Sequence, residues 1–396
     1  MNNHRFETLD SWRGIAATLV VVHHVFANSH IFALPVIRHG WWAVDFFFVL
    51  SGFVITYAYN ARLRTGGELR SFALQRIGRV YPLHVFMLAV LIVTELAKVA
   101  AVHVGLAFDA PPFSGRNTLF AVLTNLLMVH SFGFHTATAG SWNVPSWSIG
   151  VEFYTYFIFA GLIYALKRPQ WAFLGLMALS VGVLSTSQWY LGEGFRLGLF
   201  RCLLGFLAGH FVWRLWRTPF AQTRIQDFVK RFATPLEVAV FVGAVAAVWY
   251  TEFNPWSFAL PLVFSAVILV FAFEAGPLSR LLKTAPFALL GTLSYSIYMT
   301  HFWIIWCYDI AFDKLAPRFL HVTLTTQVDT LAYFGTNPWM GDAITLAIVA
   351  TTIGFSLLTY RFVETPGRNY FRHLAKRFGG RAKTPDVAGA ATSPSR

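Results

Sequence analysis

Apolar residues in this chain come in runs, and the runs are separated by short segments that collect arginine and lysine. Ten runs, at about 13–30, 41–59, 82–105, 146–166, 171–191, 195–214, 234–251, 257–275, 287–310 and 341–361, approach the ~20 residues that a helix needs to span a bilayer. An eleventh stretch, 119–134, is shorter and is interrupted by Asn125 and His130. The pattern predicts an all-α protein, a polytopic bundle of about ten transmembrane helices, with 119–134 as a re-entrant or interfacial segment. Cytoplasmic loops carry the excess of Lys and Arg, and this decides the status of the eleventh stretch. If it does not cross, 23 of the 31 basic residues fall on one side, and only Arg38, Arg116, Lys314 and Arg318 on the other. If it crosses, everything after it inverts and the bias collapses. Both termini are therefore expected in the cytoplasm, with the chain multi-pass in the cell (inner) membrane.

Composition agrees. Of 396 residues, 56% are hydrophobic and 12% charged, with mean hydropathy +0.55, against about 25% charged in a soluble domain. The formal charge of +13 would suggest nucleic acid in a soluble protein. Here it is explained by the loops, so membrane lipids and no nucleic acid are expected as partners. Cys202 and Cys307 lie inside apolar runs and make neither a disulfide framework nor a metal site. The first run carries Arg13 and tandem histidines and lacks a small-residue cleavage pattern, so no cleavable signal is expected. No internal repeat of the kind that marks many transporters is visible. Residues 1–372 are expected to form the membrane domain. Residues 373–396, which end in small, polar residues and prolines, are expected to form a disordered cytoplasmic tail.

Ionisable groups within spans cost about 2.5–3.5 kcal/mol on insertion scales, so each needs a reason. Arg13 and His24 are eleven steps apart on the first run, which is roughly 16 Å and close to three full turns. They share a face, with Arg13 near the cytoplasmic surface and His24 near mid-membrane. An anionic donor with a long thin arm suits that geometry: the guanidinium meets it at the entrance, and a neutral imidazole deeper in accepts a proton from an attacking hydroxyl. The alternative for His24 is a helix-packing histidine. His23 points about 100° away and is expected to pack. Asp45, one turn into the second run, can orient the imidazole as a triad acid does, or can simply meet water or a helix terminus. Ser51 and Gly52 are expected to allow close helix approach. Arg76 and Arg79, at i and i+3, present two guanidiniums on one helix face, suited to phosphates or to lipid headgroups. Glu152 and Arg201 are charged residues within spans, either lining a cavity for a sugar or pairing with each other. Tyr295, Tyr298 and His301 recur at i, i+3 and i+6. That ladder is most simply helix packing, with Tyr298 and His301 as the candidate acceptor contacts. Glu95 and Lys98 are expected to form a local ion pair.

LDSWRGIAATLVVVHH, VDFFFVLSGF, RIGRVYPLH, WSIGVEFYTYF, RCLLGFLAG, LSYSIYMTHF and YRFVETPGRN, in that order, resemble the acyltransferase-3 family of membrane-bound O-acyltransferases, from Thr8 to about Arg372. The resemblance implies transfer of an acyl group, usually acetyl, from acyl-CoA to a hydroxyl of a glycan or glycosylated small molecule. Acyl-CoA is then a co-substrate and no bound cofactor is expected. The resemblance also implies that Arg13 and His24 are essential and that Arg76 and Arg79 serve acyl-CoA binding. Asp45 and Glu152 occupy recurrent acidic positions. Some relatives add an extracytoplasmic hydrolase domain, and this chain is expected to be a stand-alone member. The competing functional class is a glycan or lipid transporter, which also places polar groups among its helices.

Overall fold

The computed structural model describes residues 5–108, 110–132, 140–188, 190–192, 196–328 and 331–378. Each of the ten apolar runs carries a helix. They are α1 (Glu7–His24), α2 (Ala43–Tyr59), α3 (Gly66–His103), α4 (Trp147–Ala165) and α5 (Pro169–Leu184), followed by α6 (Gly198–Trp216), α7 (Ala233–Tyr250), α8 (Leu260–Phe271), α9 (Ala285–Asp309) and α10 (Pro338–Thr359). Through one π-helical turn, Tyr360–Glu364, α10 continues into α11 (Thr365–Lys376), so the last helix enters the segment expected as tail. Residues 379–396 lie outside the described residues. The strands β1 (Thr325–Val328) and β2 (Leu331–Phe334) form one antiparallel hairpin.

Among the described residues, six helices are long and apolar enough to cross a membrane: Gly40–Tyr59, Gly66–His103, Val144–Ala165, Gly198–Trp216, Ala233–Tyr250 and Pro338–Lys376. Pro169–Leu184 and Pro255–Phe271 are apolar but shorter. Outside that set stand α1, with Glu7, Asp10 and Arg13, and α9, with its serines, threonines and His301; these two helices carry much of the site. The described part of the stretch 119–134 carries the helix Leu119–Leu126, eight residues and about 12 Å long. Large apolar side chains such as Val93, Leu262 and Leu346 are more than 60% exposed, as a lipid-facing surface requires and a watery one disfavours.

Local signals set the helix limits. Thr65 and Glu68 close a capping box at the start of α3, satisfying two backbone donors reciprocally. At α10, Asn337 accepts from Met340 N and Pro338 takes the first helical turn, where its missing N–H is harmless. Glycines set two of the closest crossings. Where α1 meets α9, a Cβ on Gly14 or Gly291 would collide with the opposite backbone. Between α2 and α6 the same holds for Gly52 and Gly209, each against a carbonyl of the other helix. Backbones can approach this closely only over small residues, and dispersion then holds them without any hydrophobic drive in lipid. Contacts of Gly14 with Leu290, of Ala17 and Val21 with Leu293 and Ile297, and of His24 with His301 follow one constant register. The helices α1 and α9 therefore run parallel.

Candidate functional site

The helices α1, α2, α3, α4 and α9 surround a cavity of about 810 Å³, its open mouth included. Its polar lining converges from all five: Arg13 on α1, Ser51 on α2, Arg76 and Arg79 on α3, Glu152 on α4 and Ser294 on α9. A neighbouring cavity of about 670 Å³ shares Arg13, Leu50 and Val54 with it and extends to Arg5, Asp10 and Tyr57. Arg13 thus stands where the two meet, on the side of the molecule that collects the basic loops. At the outer end of this path the Arg5 guanidinium is held above its ordinary range by its hydrogen bond to Asp10.

Each guanidinium is held in place. Arg13 Nε donates to Ser294 Oγ at 2.8 Å, one terminal nitrogen donates to Gly291 O at 3.2 Å, and Asp10 lies 3.2 Å away one turn earlier. Arg79 is bonded to the buried carboxylate of Glu364, whose second oxygen accepts from Ser296 Oγ at 2.9 Å. Its guanidinium also lies over the Tyr295 ring. Arg76 donates to Tyr59 Oη at 3.2 Å and lies between the rings of Tyr59, Phe72 and Tyr156. Aromatic faces attract cations and restrict where they sit. Glu152 accepts from Ser51 Oγ and from Tyr156 Oη. Three cations around one cavity, with Glu152 as the acid among its lining residues, make an environment for an anionic ligand.

His24 lies behind the cavity wall and does not line it. It is the last residue of α1, so the helix stops there, six residues short of the end that the apolar run suggests. Its neighbour on α9, His301, has eight further helical residues beyond it, about 12 Å, so the pair lies within the bundle. The His24 and His301 ring centres are 5.0 Å apart. His24 Nδ1 is bonded to Val20 O at 2.8 Å, and His301 Nδ1 to Tyr298 O at 2.7 Å. A carbonyl only accepts, so in each ring the proton sits on Nδ1 and the Nε2 lone pair is left available. His301 is fully buried, and its Nε2 has no partner among the described residues. Tyr298 lines the cavity on one side and packs against His301 on the other, with ring centres 5.8 Å apart. It is fixed by Ser148 Oγ at 2.7 Å and Pro145 O at 2.8 Å, with Phe47 against its ring. Tyr298 and Phe47 therefore close the inner end of the cavity towards the two imidazoles.

The structure revises several sequence expectations. Asp45 does not reach His24: both of its oxygens take Arg201, at 2.6 and 2.9 Å, and the two side chains are 1% and 3% exposed. Trp42 and Trp147 face the same guanidinium. Arg201 is therefore engaged with Asp45 rather than Glu152, and neither Arg201 nor Asp45 lines this cavity. The reason is depth: the close α2–α6 crossing at Gly52 and Gly209 brings two opposite charges of equal depth together before either can reach a third helix. Ser51, expected as a packing residue, instead bonds Glu152. His23 turns away to Ile37 O and the Trp41 ring, and Lys98 meets Glu95 at 3.2 Å, both as expected. Sequence reasoning missed Glu364 and Ser294. Glu364 could have been noticed as one of only two acids, with Asp386, among the eight basic residues from Arg361 onward.

Comparison with known proteins gives a family. Residues 6–361 match the model of a family described as an acyltransferase domain. The peptidoglycan O-acetyltransferase OatA of Listeria monocytogenes is 26% identical over 395 residues, which is 92% of this chain and 57% of that protein. Acyltransferase MdmB of Streptomyces mycarofaciens is 26% identical over 91% of each chain. The putative peptidoglycan O-acetyltransferase YrhL of Bacillus subtilis is 27% identical over 95% of this chain and 57% of its own length. The chain thus spans little more than half of the first and third of these relatives. No solved structure matches it.

Proposed function

The chain belongs to this acyltransferase family, and from that premise we propose that it transfers an acyl group, acetyl in the simplest case, from acyl-CoA to a hydroxyl of a carbohydrate or glycosylated acceptor. It does so as a multi-pass protein of the cell membrane, with ten spans and both termini in the cytoplasm. One observation carries the reading: three guanidiniums from α1 and α3 converge on one cavity, and Tyr298 on its wall packs against His301, whose Nε2 has no partner among the described residues and whose ring centre lies 5.0 Å from that of His24.

In this mechanism the donor enters from the cytoplasmic side. Arg13, Arg76 and Arg79 hold its phosphates or carbonyls, and the thioester advances towards Tyr298. The acceptor hydroxyl approaches His24, whose Nδ1 bond to Val20 O leaves Nε2 to take the proton. The hydroxyl oxygen attacks the thioester carbon, the new C–O bond forms as the C–S bond breaks, and the imidazolium returns its proton to the departing thiolate. His301 presents a second acceptor nitrogen to the sugar, and Tyr298 moves aside to bring donor and base together. Asp45 and Arg201 hold α2 to α6 and do not take part.

The test is mass spectrometry of surface glycans together with CoA release by the purified protein. Arg13→Ala and His24→Ala should each abolish the added acyl mass while the protein stays in the membrane. Normal acylation in either variant overturns the assignment, and substrate movement that persists in His24→Ala without CoA release would indicate a transporter.

A further inference from the structure

A third cavity, of about 590 Å³, lies at the other side of the α2–α4 pair, at the ends of α2, α4 and α6 and the start of α5. Four cations line it from three separate segments: Arg64 after α2, Lys167 between α4 and α5, and Arg214 and Arg217 at the end of α6. Among the described residues no carboxylate lines it and none of the four forms a salt bridge, although the Arg64 charge also acts on the nearby Glu68 carboxylate. Glu68, in the same stretch as Arg64, is engaged in the cap of α3 through the backbone amides of Arg64 and Thr65.

The preference of basic residues for the cytoplasmic side explains why the four lie on this face. It does not explain why they share one concavity, where like charges repel unless an anion lies between them. Two further features suit an anion. Arg217 is held over the Trp213 ring at 4.8 Å, which fixes a guanidinium that would otherwise be free in water. Pro169 and Gln170, the first residues of α5, also line the pocket, and this 16-residue helix has no side-chain cap. Its first-turn amides and the positive end of its dipole therefore face the same space.

We propose that this pocket is a second anion site that binds a phosphate group, separate from the cavity of Arg13, Arg76 and Arg79. Two sources share that chemistry: the nucleotide end of the donor, and the headgroup of an anionic phospholipid. The nucleotide source rests on the acyl-CoA reading above; the lipid source does not. Position allows the first. Ile55 lines the donor cavity and Asn60 this pocket, about 7.5 Å further along α2, and Tyr156 and Ile163 stand about 10.5 Å apart on α4 in the same way. A donor with its thioester beside Tyr298 would carry its phosphates towards this end.

The experiment uses the full-length protein in phosphatidylcholine nanodiscs and a combined variant, Lys167→Gln with Arg214→Gln and Arg217→Gln. These side chains are exposed, and the variant should fold and insert as the parent does. Adenosine 3′,5′-bisphosphate is titrated calorimetrically, and retention of phosphatidylglycerol is followed by native mass spectrometry. The combined variant should weaken one of the two by about tenfold, given modest contributions from exposed charges. A control pair of exposed cations outside both cavities, Arg224→Gln with Lys230→Gln, should leave it unchanged. A loss confined to the bisphosphate identifies the nucleotide, and a loss confined to phosphatidylglycerol identifies the lipid; both support the site. Unchanged binding of both probes overturns it. His24→Ala, assayed separately for CoA release, reports on the transferase reading alone, so a failure of one is not mistaken for a failure of the other.

Discussion

Replacing Asp45 by Asn removes the charge against which Arg201 is buried. Both groups are almost inaccessible, joined by two short bonds, and enclosed by Trp42 and Trp147. Among the described residues no second carboxylate is bonded to Arg201. Breaking a buried pair from one side leaves an uncompensated charge and costs about 3–5 kcal/mol, so the ratio of folded to unfolded protein should fall by a factor of more than about a hundred. Replacing both partners by apolar residues of similar size, Asp45→Leu with Arg201→Met, removes the stranded charge and is often neutral or stabilising by about 1–4 kcal/mol. The assay is unfolding in mixed detergent and dodecyl sulfate, followed by CoA release from acetyl-CoA. Asp45→Asn should unfold at clearly lower denaturant, and the double variant should recover both stability and turnover. If Asp45 instead orients the catalytic imidazole, the double variant will regain stability and remain inactive. That outcome would refute a purely structural role.

The other predictions concern the site and its framework. His24→Ala should lower turnover by about 10²–10⁴-fold, the usual contribution of a general base, with the amount of membrane-inserted protein unchanged on immunoblots. Arg79→Lys should raise KM for acyl-CoA about tenfold with little change in kcat, because an ammonium cannot reproduce the planar fork held between Glu364 and Tyr295; an unchanged KM would remove Arg79 from the donor site. Tyr298→Ala should join the cavity to the His24–His301 pair, and hydrolysis of acetyl-CoA without acceptor should rise in a CoA-release assay. Gly52→Leu should prevent the α2–α6 contact and abolish the detergent-stable fold, whereas Gly175→Leu, which has open space around it, should be tolerated in size-exclusion profiles.

Hydropathy alone located the ten helices, because a run of apolar residues has few alternatives to helix in a medium that cannot hydrogen-bond its backbone. Spacing within a helix was equally legible. Arg13 and His24 do share a face, both turned to α9, and Arg76 and Arg79 do enter one cavity, since helical geometry depends on nothing beyond the segment itself. What the sequence could not decide was which helix each face meets. Arg201 finds Asp45 across 156 positions, Arg79 finds Glu364 across 285, and Tyr298 comes to stand between the cavity and the imidazoles. A buried charge takes the opposite charge that backbone packing brings within reach at its own depth, and that approach is set by Gly14 against Gly291 and Gly52 against Phe206. Those contacts exist only once the helices are assembled.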